Sequence, residues 1–203
     1  MWFFSYFFGS YVITSTASFL YDVYVDKFKH INRTPQQVKQ CAKDMMPIIS
    51  VNLFGVTLPY SLFIERNIKD VERNEYGFFP NFLLVYMIAD FLTYFMHRLF
   101  HHPKLYFLHK MHHEYVYPLA MGALYAHPID YFMINLATFT APIFILYPAD
   151  YIIKIIIVLA VSLTTIQSHG SYTFFDDAHL KHHKFYKVNY GLGIMDRICG
   201  TFK

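Results

Sequence analysis

Long apolar runs separated by short polar stretches dominate the chain. Residues 45–64 (MMPIISVNLFGVTLPYSLFI) carry no charge over 20 positions, about the length a helix needs to cross a hydrocarbon core. Residues 78–96 repeat the pattern with one interruption, Asp90. Residues 131–149 are uncharged, residues 151–167 carry only Lys154, and the first 21 residues are uncharged and strongly aromatic. This patterning predicts five apolar helices, near 2–25, 45–64, 78–97, 131–148 and 151–168, with polar connections at 26–44 and 65–77. The last two helices flank Ala149 and Asp150 after Pro148, which predicts a tight hairpin. At about 18 residues each they either cross a membrane or dip in and return, and both readings bring the chain back to its starting side.

The expected fold is therefore all-α, an integral membrane helical bundle of about four to five apolar helices forming one domain over residues 1–203. The N-terminus, MWFFSYFFGS, has neither a basic leading region nor a small-residue cleavage site. It is expected to be a retained helix rather than a cleaved signal, and it lacks the arginines of a mitochondrial transit peptide.

Composition agrees with the pattern. Only 15% of the 203 residues are charged, against about 25% in soluble domains, while 55% are hydrophobic. Cys41 and Cys199 offer no disulfide framework and no cysteine-based metal pattern. The net charge of +3 is modest and its basic residues are scattered, so lipid headgroups are expected neighbours and nucleic acid is not. Thirteen of the 17 Lys and Arg residues fall on the side of the chain that carries the histidines. Only Arg66, Lys69 and Arg73 fall on the other, with Lys154 inside an apolar segment and expected to snorkel to the interface. By the positive-inside rule, that histidine side faces the cytosol, or the matrix if the membrane is mitochondrial.

The histidines supply the chemistry. Eleven of the 12 lie between His97 and His183, in the clusters His97-x3-His101-His102, His109-x2-His112-His113 and His179-x2-His182-His183, with His127 and His169 between them. Only His30 lies outside, as a solvated loop residue. Residues three and four apart share a helix face, so each cluster is expected to aim two or three imidazoles at one point. Neutral imidazole is the commonest metal ligand, and this many exceed what one ion can use, which points to two metal ions in one site. His102, His127 and His169 stay open between ligating a metal and hydrogen-bonding a ligand.

An ionised residue in an apolar segment is costly and so functional by default. Asp90, seven residues before His97 on the same helix face, is expected to accept a hydrogen bond from a ligating imidazole and fix its tautomer. Asp176 and Asp177, just before the third cluster, either play a similar part or begin a helix.

The order of these clusters resembles the fatty acid hydroxylase/sterol desaturase superfamily, most of all its sterol C4-methyl oxidase and cholesterol 25-hydroxylase branch. The surroundings carry the resemblance further. Asp90 and Tyr94 precede the first box, Leu105-Tyr106 leads into the second, and Pro118 follows it. Tyr125-Ala126-His127-Pro128 with Asp130 is similar to the family's A-H-P motif, with Asp where Glu is usual. His169-Gly170, Asn189-Tyr190-Gly191 and Asp196-Arg197-x-x-Gly200-Thr201 complete the likeness over residues 86–201. The chain departs from the family in having two residues between Tyr106 and His109 rather than three, and Met195 in place of Trp. A turn at His102-Pro103 is expected to absorb the shorter spacing.

The resemblance implies a membrane bundle capped by a di-iron site, with zinc as an alternative metal in isolated protein. It implies O2 as co-substrate and electrons from NAD(P)H through cytochrome b5 or a similar carrier. The reaction implied is hydroxylation, or a related oxidation, of a sterol or fatty-acyl lipid. The compartment implied is the endoplasmic reticulum, with the mitochondrial inner membrane as the alternative. Two other functional readings are open: a catalytically silent relative serving as a lipid-contacting subunit of a larger membrane complex, and a zinc-binding membrane protein that never turns over.

Overall fold

The structure is a computed structural model that describes residues 2–26, 33–67, 78–117, 119–146, 151–170 and 177–203. Among the described residues the regular elements are all helical. Helix α1 spans Trp2–Tyr21 and runs on as a wide turn over Asp22–Asp26. Helix α2 is the 33-residue Pro35–Asn67, and α3 is Phe78–Phe100. A short α4, Tyr106–His109, leads into single turns at His112–Glu114 and Ala120–Leu124. Helix α5 covers residues 128–145, α6 Tyr151–His169, α7 Ala178–Phe185 and α8 Ile194–Ile198.

The five apolar segments all become helices, but α2 starts ten residues before its apolar run. Thr34 opens it with a reciprocal cap: its hydroxyl accepts the Gln37 N–H and the Gln37 side chain accepts the Thr34 N–H. Pro35 at the first helical position loses no bond there. Val38, Cys41, Met45 and Ile49, three and four apart, are buried, while Lys39, Lys43 and Asp44 face outward. The stretch 35–44 is thus an amphipathic helix rather than a polar connection. The hairpin residues Ala149 and Asp150, and 68–77 of the second connection, lie outside the described residues.

Two helices widen into π turns, α2 over Val51–Thr57 and α5 over Tyr131–Ala137. In α2, Pro59 has no N–H to return to Gly55, so the ladder is already broken there. The widening also turns Asn52 inward. Its amide donates to the carbonyls of Leu124 (2.8 Å) and Ala126 (2.9 Å), tying down the loop before α5. Each such bond contributes roughly 0.5–1.5 kcal/mol, and leaving the buried carbonyls unpaired would cost more. Tyr11 of α1 donates to the Met121 carbonyl of the same loop (2.8 Å), and Tyr131 shares a 2.7 Å hydrogen bond with Thr57.

Helix α1 packs along α6, α3 along α5, and α8 against α3. α2 and α3 are long and apolar enough to cross a membrane, and only 33% of each apolar window is buried inside the fold. Ile13, Phe54, Phe63, Leu83 and Phe91 stand about half exposed or more. Lys154 does not reach for a surface: it is buried on α6. The histidine-bearing turns and α7 gather at one end of α3 and α6.

Candidate metal centre

Helix α3 stops at Phe100, where His102-Pro103 turns the chain; the Tyr106 N–H returns to the His102 carbonyl at 2.9 Å. His97 lies on the last turn of α3 and His101 just beyond it. The second cluster does not form one helix: His109 ends α4, and His112 and His113 sit on a separate tight turn. The third cluster lies on α7, closed by Tyr186 in the left-handed conformation at φ 62°.

The clusters therefore do not each aim at one point. Instead their members divide into two groups, His97, His101, His109, His113 and His182 in one, His112, His169, His179 and His183 in the other. The ligating atoms within each group lie within 4.8 Å of one another. The i,i+4 pairs stay together, 97 with 101, 109 with 113, 179 with 183. The adjacent pairs His112-His113 and His182-His183 split between groups. His169, left open by its isolation in the sequence, is an integral member of the second group.

Hydrogen bonds on the far side of the rings fix what each group can do. His97 Nδ1 lies 2.8 Å from the Tyr190 carbonyl, His182 Nδ1 2.7 Å from the Val188 carbonyl, and His169 Nδ1 2.6 Å from the Thr165 carbonyl. His109 Nδ1 lies 2.9 and 3.0 Å from the two oxygens of Asp130. The three carbonyls only accept, so the Nδ1 of His97, His182 and His169 carries the hydrogen and the Nε2 presents a bare lone pair; His109 has the same tautomer when the Asp130 carboxylate is ionised. Yet His97 Nε2 and His109 Nε2 are 3.0 Å apart. With Asp130 ionised, two bare lone pairs meet at that distance and repel, and a shared cation removes the conflict.

The spacing fits such a cation. Nitrogens bound about 2.1 Å from a metal and 90° apart lie about 3.0 Å from each other; at tetrahedral angles the separation is about 3.4 Å. In the first group the Nε2 contacts are 3.0–3.1 Å. In the second they are 3.1–3.4 Å. Imidazole sets of this kind suit iron, zinc, copper or nickel. Burial, reinforced by neighbouring imidazoles, holds His109, His112, His113, His179, His182 and His183 well below their ordinary value of 6.5. His101 is held near 3, again mainly by burial. Neutral rings of this kind are ready ligands.

The other expected residues lie apart. His102 is exposed and its Nδ1 accepts the Lys104 N–H, and His127 caps α5 by accepting the Ile129 N–H. Neither belongs to either group. Asp177 precedes α7 and pairs with Lys181 at 2.7 Å on the surface; Asp176 lies outside the described residues. Asp90 does not bond an imidazole. Its carboxylate, fully buried, accepts the N–H groups of Leu192 and Met195.

The carboxylate that does orient a ligand is Asp130. Asp130 stands at the edge of an uncharged run rather than inside one, and so escapes the argument that flags Asp90. Asp196, named in the sequence only as part of a motif, also has a structural role. It accepts the N–H groups of Tyr190 (2.8 Å) and Gly191 (2.7 Å) and the Thr201 hydroxyl (2.7 Å). Asp90 from α3 and Asp196 from α8 thus clamp the 190–195 loop from two sides, placing the Tyr190 carbonyl against His97. A side chain at Gly191 has no room, because its Cβ would lie 2.6 Å from Asp90 Oδ1 and 3.1 Å from Tyr94 Cβ.

Beneath the histidines, α3, α5 and α6 enclose a cavity of about 530 Å³. Its walls are mostly apolar, among them Phe82, Val85, Phe139 and Ile157. His97 and His109 of one group, and His112, His169 and His179 of the other, line the same space, so a guest there meets both.

Two adjoining sets of imidazoles beside a largely apolar cavity, on elements that are all helical among the described residues, make a histidine-rich centre suited to metal ions. The family model for fatty acid hydroxylase matches residues 82–201, and the chain belongs to that family. It is 27% identical to a Delta(7)-sterol 5(6)-desaturase of Gibberella zeae over 95% of this chain and 59% of that protein. With the Delta(7)-sterol 5(6)-desaturase of Schizosaccharomyces pombe it shares 28% identity over 93% of this chain and 62% of the other. The human fatty acid hydroxylase domain-containing protein 2 is 33% identical over 72% of this chain and 47% of its own length. The chain thus spans about three fifths of the length of the curated sterol desaturases it matches. No solved structure matches it.

Proposed function

We propose that the chain is a membrane-embedded di-iron oxygenase that oxidises a sterol or fatty-acyl lipid. The observation that carries this is the opening of both imidazole groups onto one apolar cavity. The names of the relatives, sterol desaturases and a methylsterol monooxygenase of Gallus gallus that is 51% identical over 45 residues, point the same way. The half-exposed apolar faces of α1, α2 and α3 suit hydrocarbon contact, and the family resemblance favours the endoplasmic reticulum.

His97, His101, His109, His113 and His182 would hold one ion, and His112, His169, His179 and His183 the other. Bound there, two irons would supply O2 activation and C–H oxidation, with electrons from NAD(P)H through cytochrome b5 or a similar carrier. The chain's own residues supply the rest. Asp130 and the carbonyls of Tyr190, Val188 and Thr165 orient His109, His97, His182 and His169, so these four rings present Nε2 without rearrangement. The apolar walls exclude water from the lipid and hold it against both groups.

A silent accessory subunit would be expected to have this space filled by its own side chains, and the cavity is open. The test is elemental analysis of protein purified without chelator, followed by incubation with sterols and fatty acids, O2, NADH and cytochrome b5 with its reductase. The expected result is two irons per chain and an O2-dependent oxidised lipid. Iron-replete protein that yields no product from either lipid class would overturn the assignment.

A further inference from the structure

Most of the surface the cavity exposes is apolar, and two of its polar lining residues stand out by what they fail to do. Thr93 on α3 is buried, 6% exposed, and lines the cavity; its Oγ1 has no hydrogen-bond partner among the described residues. A threonine in a helix ordinarily returns its hydroxyl to the carbonyl four residues back. Thr138, Thr140, Ser162 and Thr164 all do so, bonding Ile134, Leu136, Val158 and Ala160. Asn135 on α5 also lines the cavity, within an otherwise apolar run, and its carboxamide has no partner among the described residues. An unpaired hydroxyl buried like that of Thr93 is unfavourable unless something in the cavity satisfies it, and the half-buried Asn135 carboxamide is free to bond the same guest.

The two positions sit at one level. Thr93 is four residues before His97 on the same face of α3, about 6 Å along the axis. Asn135 follows Asp130, the partner of His109, by five residues, about one turn of the π segment Tyr131–Ala137. That segment packs against α3. Both polar groups therefore lie about one helical turn beneath the imidazoles, on facing walls of the cavity.

We propose that Thr93 and Asn135 form a polar anchor that hydrogen-bonds a single hydroxyl or carbonyl oxygen of an otherwise apolar ring or chain. The anchor rests on the oxygenase reading for its consequence: a lipid held by that oxygen presents a carbon only a few bonds away to the metal groups. The substrate class is then an oxygen-bearing lipid oxidised near its oxygen, rather than a hydrocarbon stretch attacked far from any polar group.

The test is binding to the full chain in detergent micelles, with two labelled probe pairs, cholestanol against cholestane and hexadecanol against hexadecane. Wild-type protein should bind at least one alcohol about tenfold more tightly than its hydrocarbon, the weight of one net hydrogen bond. Thr93→Val and Asn135→Leu, near-isosteric changes, should each reduce that preference several-fold and leave hydrocarbon affinity unchanged. Thr93→Ser should keep it. The unliganded variants should melt no lower than wild type, because the groups removed had no partner to lose. Equal binding of alcohol and hydrocarbon in both pairs overturns the anchor, as does a preference that survives both substitutions or a variant that melts lower. Metal content measured on the same samples separates the two readings. A metal-loaded protein without preference loses the anchor alone, and a preference in protein that cannot take up iron keeps the anchor while the oxygenase reading falls.

Discussion

His112 and His113 are neighbours in the chain, yet they serve different metal groups, their rings 5.5 Å apart with planes at 87°. His182 and His183 divide in the same way on α7, where adjacent side chains diverge by about 100°, and His112 and His113 do so on a tight turn. The two substitutions His112→Ala and His113→Ala should therefore have separable effects. Each should empty or weaken one site, leaving about one metal ion per chain in place of two, while their combination removes both. Elemental analysis of the three variants checks this. Loss of all metal in either single variant would show that the groups bind as one unit.

Asp130→Asn tests the orienting carboxylate. The amide oxygen can still accept the His109 Nδ1–H, so fold and tautomer should survive, but the negative charge behind the ligand is lost. Metal affinity should fall about 10–100-fold at the first group only, read by competition with a chromophoric chelator. Asp130→Ala should be worse, because it strands a buried donor at a cost of about 1–3 kcal/mol.

The Asp90 clamp predicts an effect on the fold rather than on the metal directly. Its two oxygens each accept a backbone N–H, from Leu192 and from Met195. Asp90→Asn turns one acceptor into a donor facing a donor, which should cost about 1.5–3 kcal/mol and lower the thermal midpoint in detergent. Gly191→Ala should act at the same place, since its Cβ meets Asp90, Tyr94 and Asp196 together; overpacking of this kind costs about 1–3 kcal/mol. A wild-type midpoint in both variants would mean that the 190–195 loop is not held as the structure shows.

Much of this was readable from the sequence, and the reasons for the rest are physical. Uncharged runs place all five apolar helices, because burial or lipid contact tolerates little else. Residues 35–44 escaped because Lys39, Lys43 and Asp44 mask a buried stripe of Val38 and Cys41. The histidines were identifiable by number and spacing, but their division was not. For the second cluster it depends on where α4 stops and a tight turn begins, a difference of a few residues within one short segment. Asp90 lies on the right face of α3 for an imidazole partner, yet a loop about a hundred residues further on claims both of its oxygens. Carbonyl partners such as Tyr190 and Val188 leave no mark in a sequence, because every residue carries the same oxygen.

The neutral histidines predict the response to acid of the metal-free protein. Burial holds His109, His112, His182 and His183 well below 6.5 in the fold, whereas in the unfolded chain they titrate near that value. Above pH 6.5 both states are neutral and folding is unaffected. As pH falls below 6.5, the unfolded state binds protons that the folded state refuses, so stability is lost progressively, for His101 down to its folded value near 3. Each buried ring that stays neutral adds about 1.4 kcal/mol of destabilisation per pH unit, and several act together. The histidine contribution to the thermal midpoint of metal-free protein should thus be level from pH 8 to about 6.5 and drop steeply by about pH 5. Metal-loaded protein should hold out to lower pH, because the ion occupies the lone pairs that protons would take, and it should release metal as it fails. A metal-free midpoint unchanged between about pH 7 and 5 would mean that the imidazoles are already charged or open to water in the folded state, and the packed, bare-nitrogen centre would have to be abandoned.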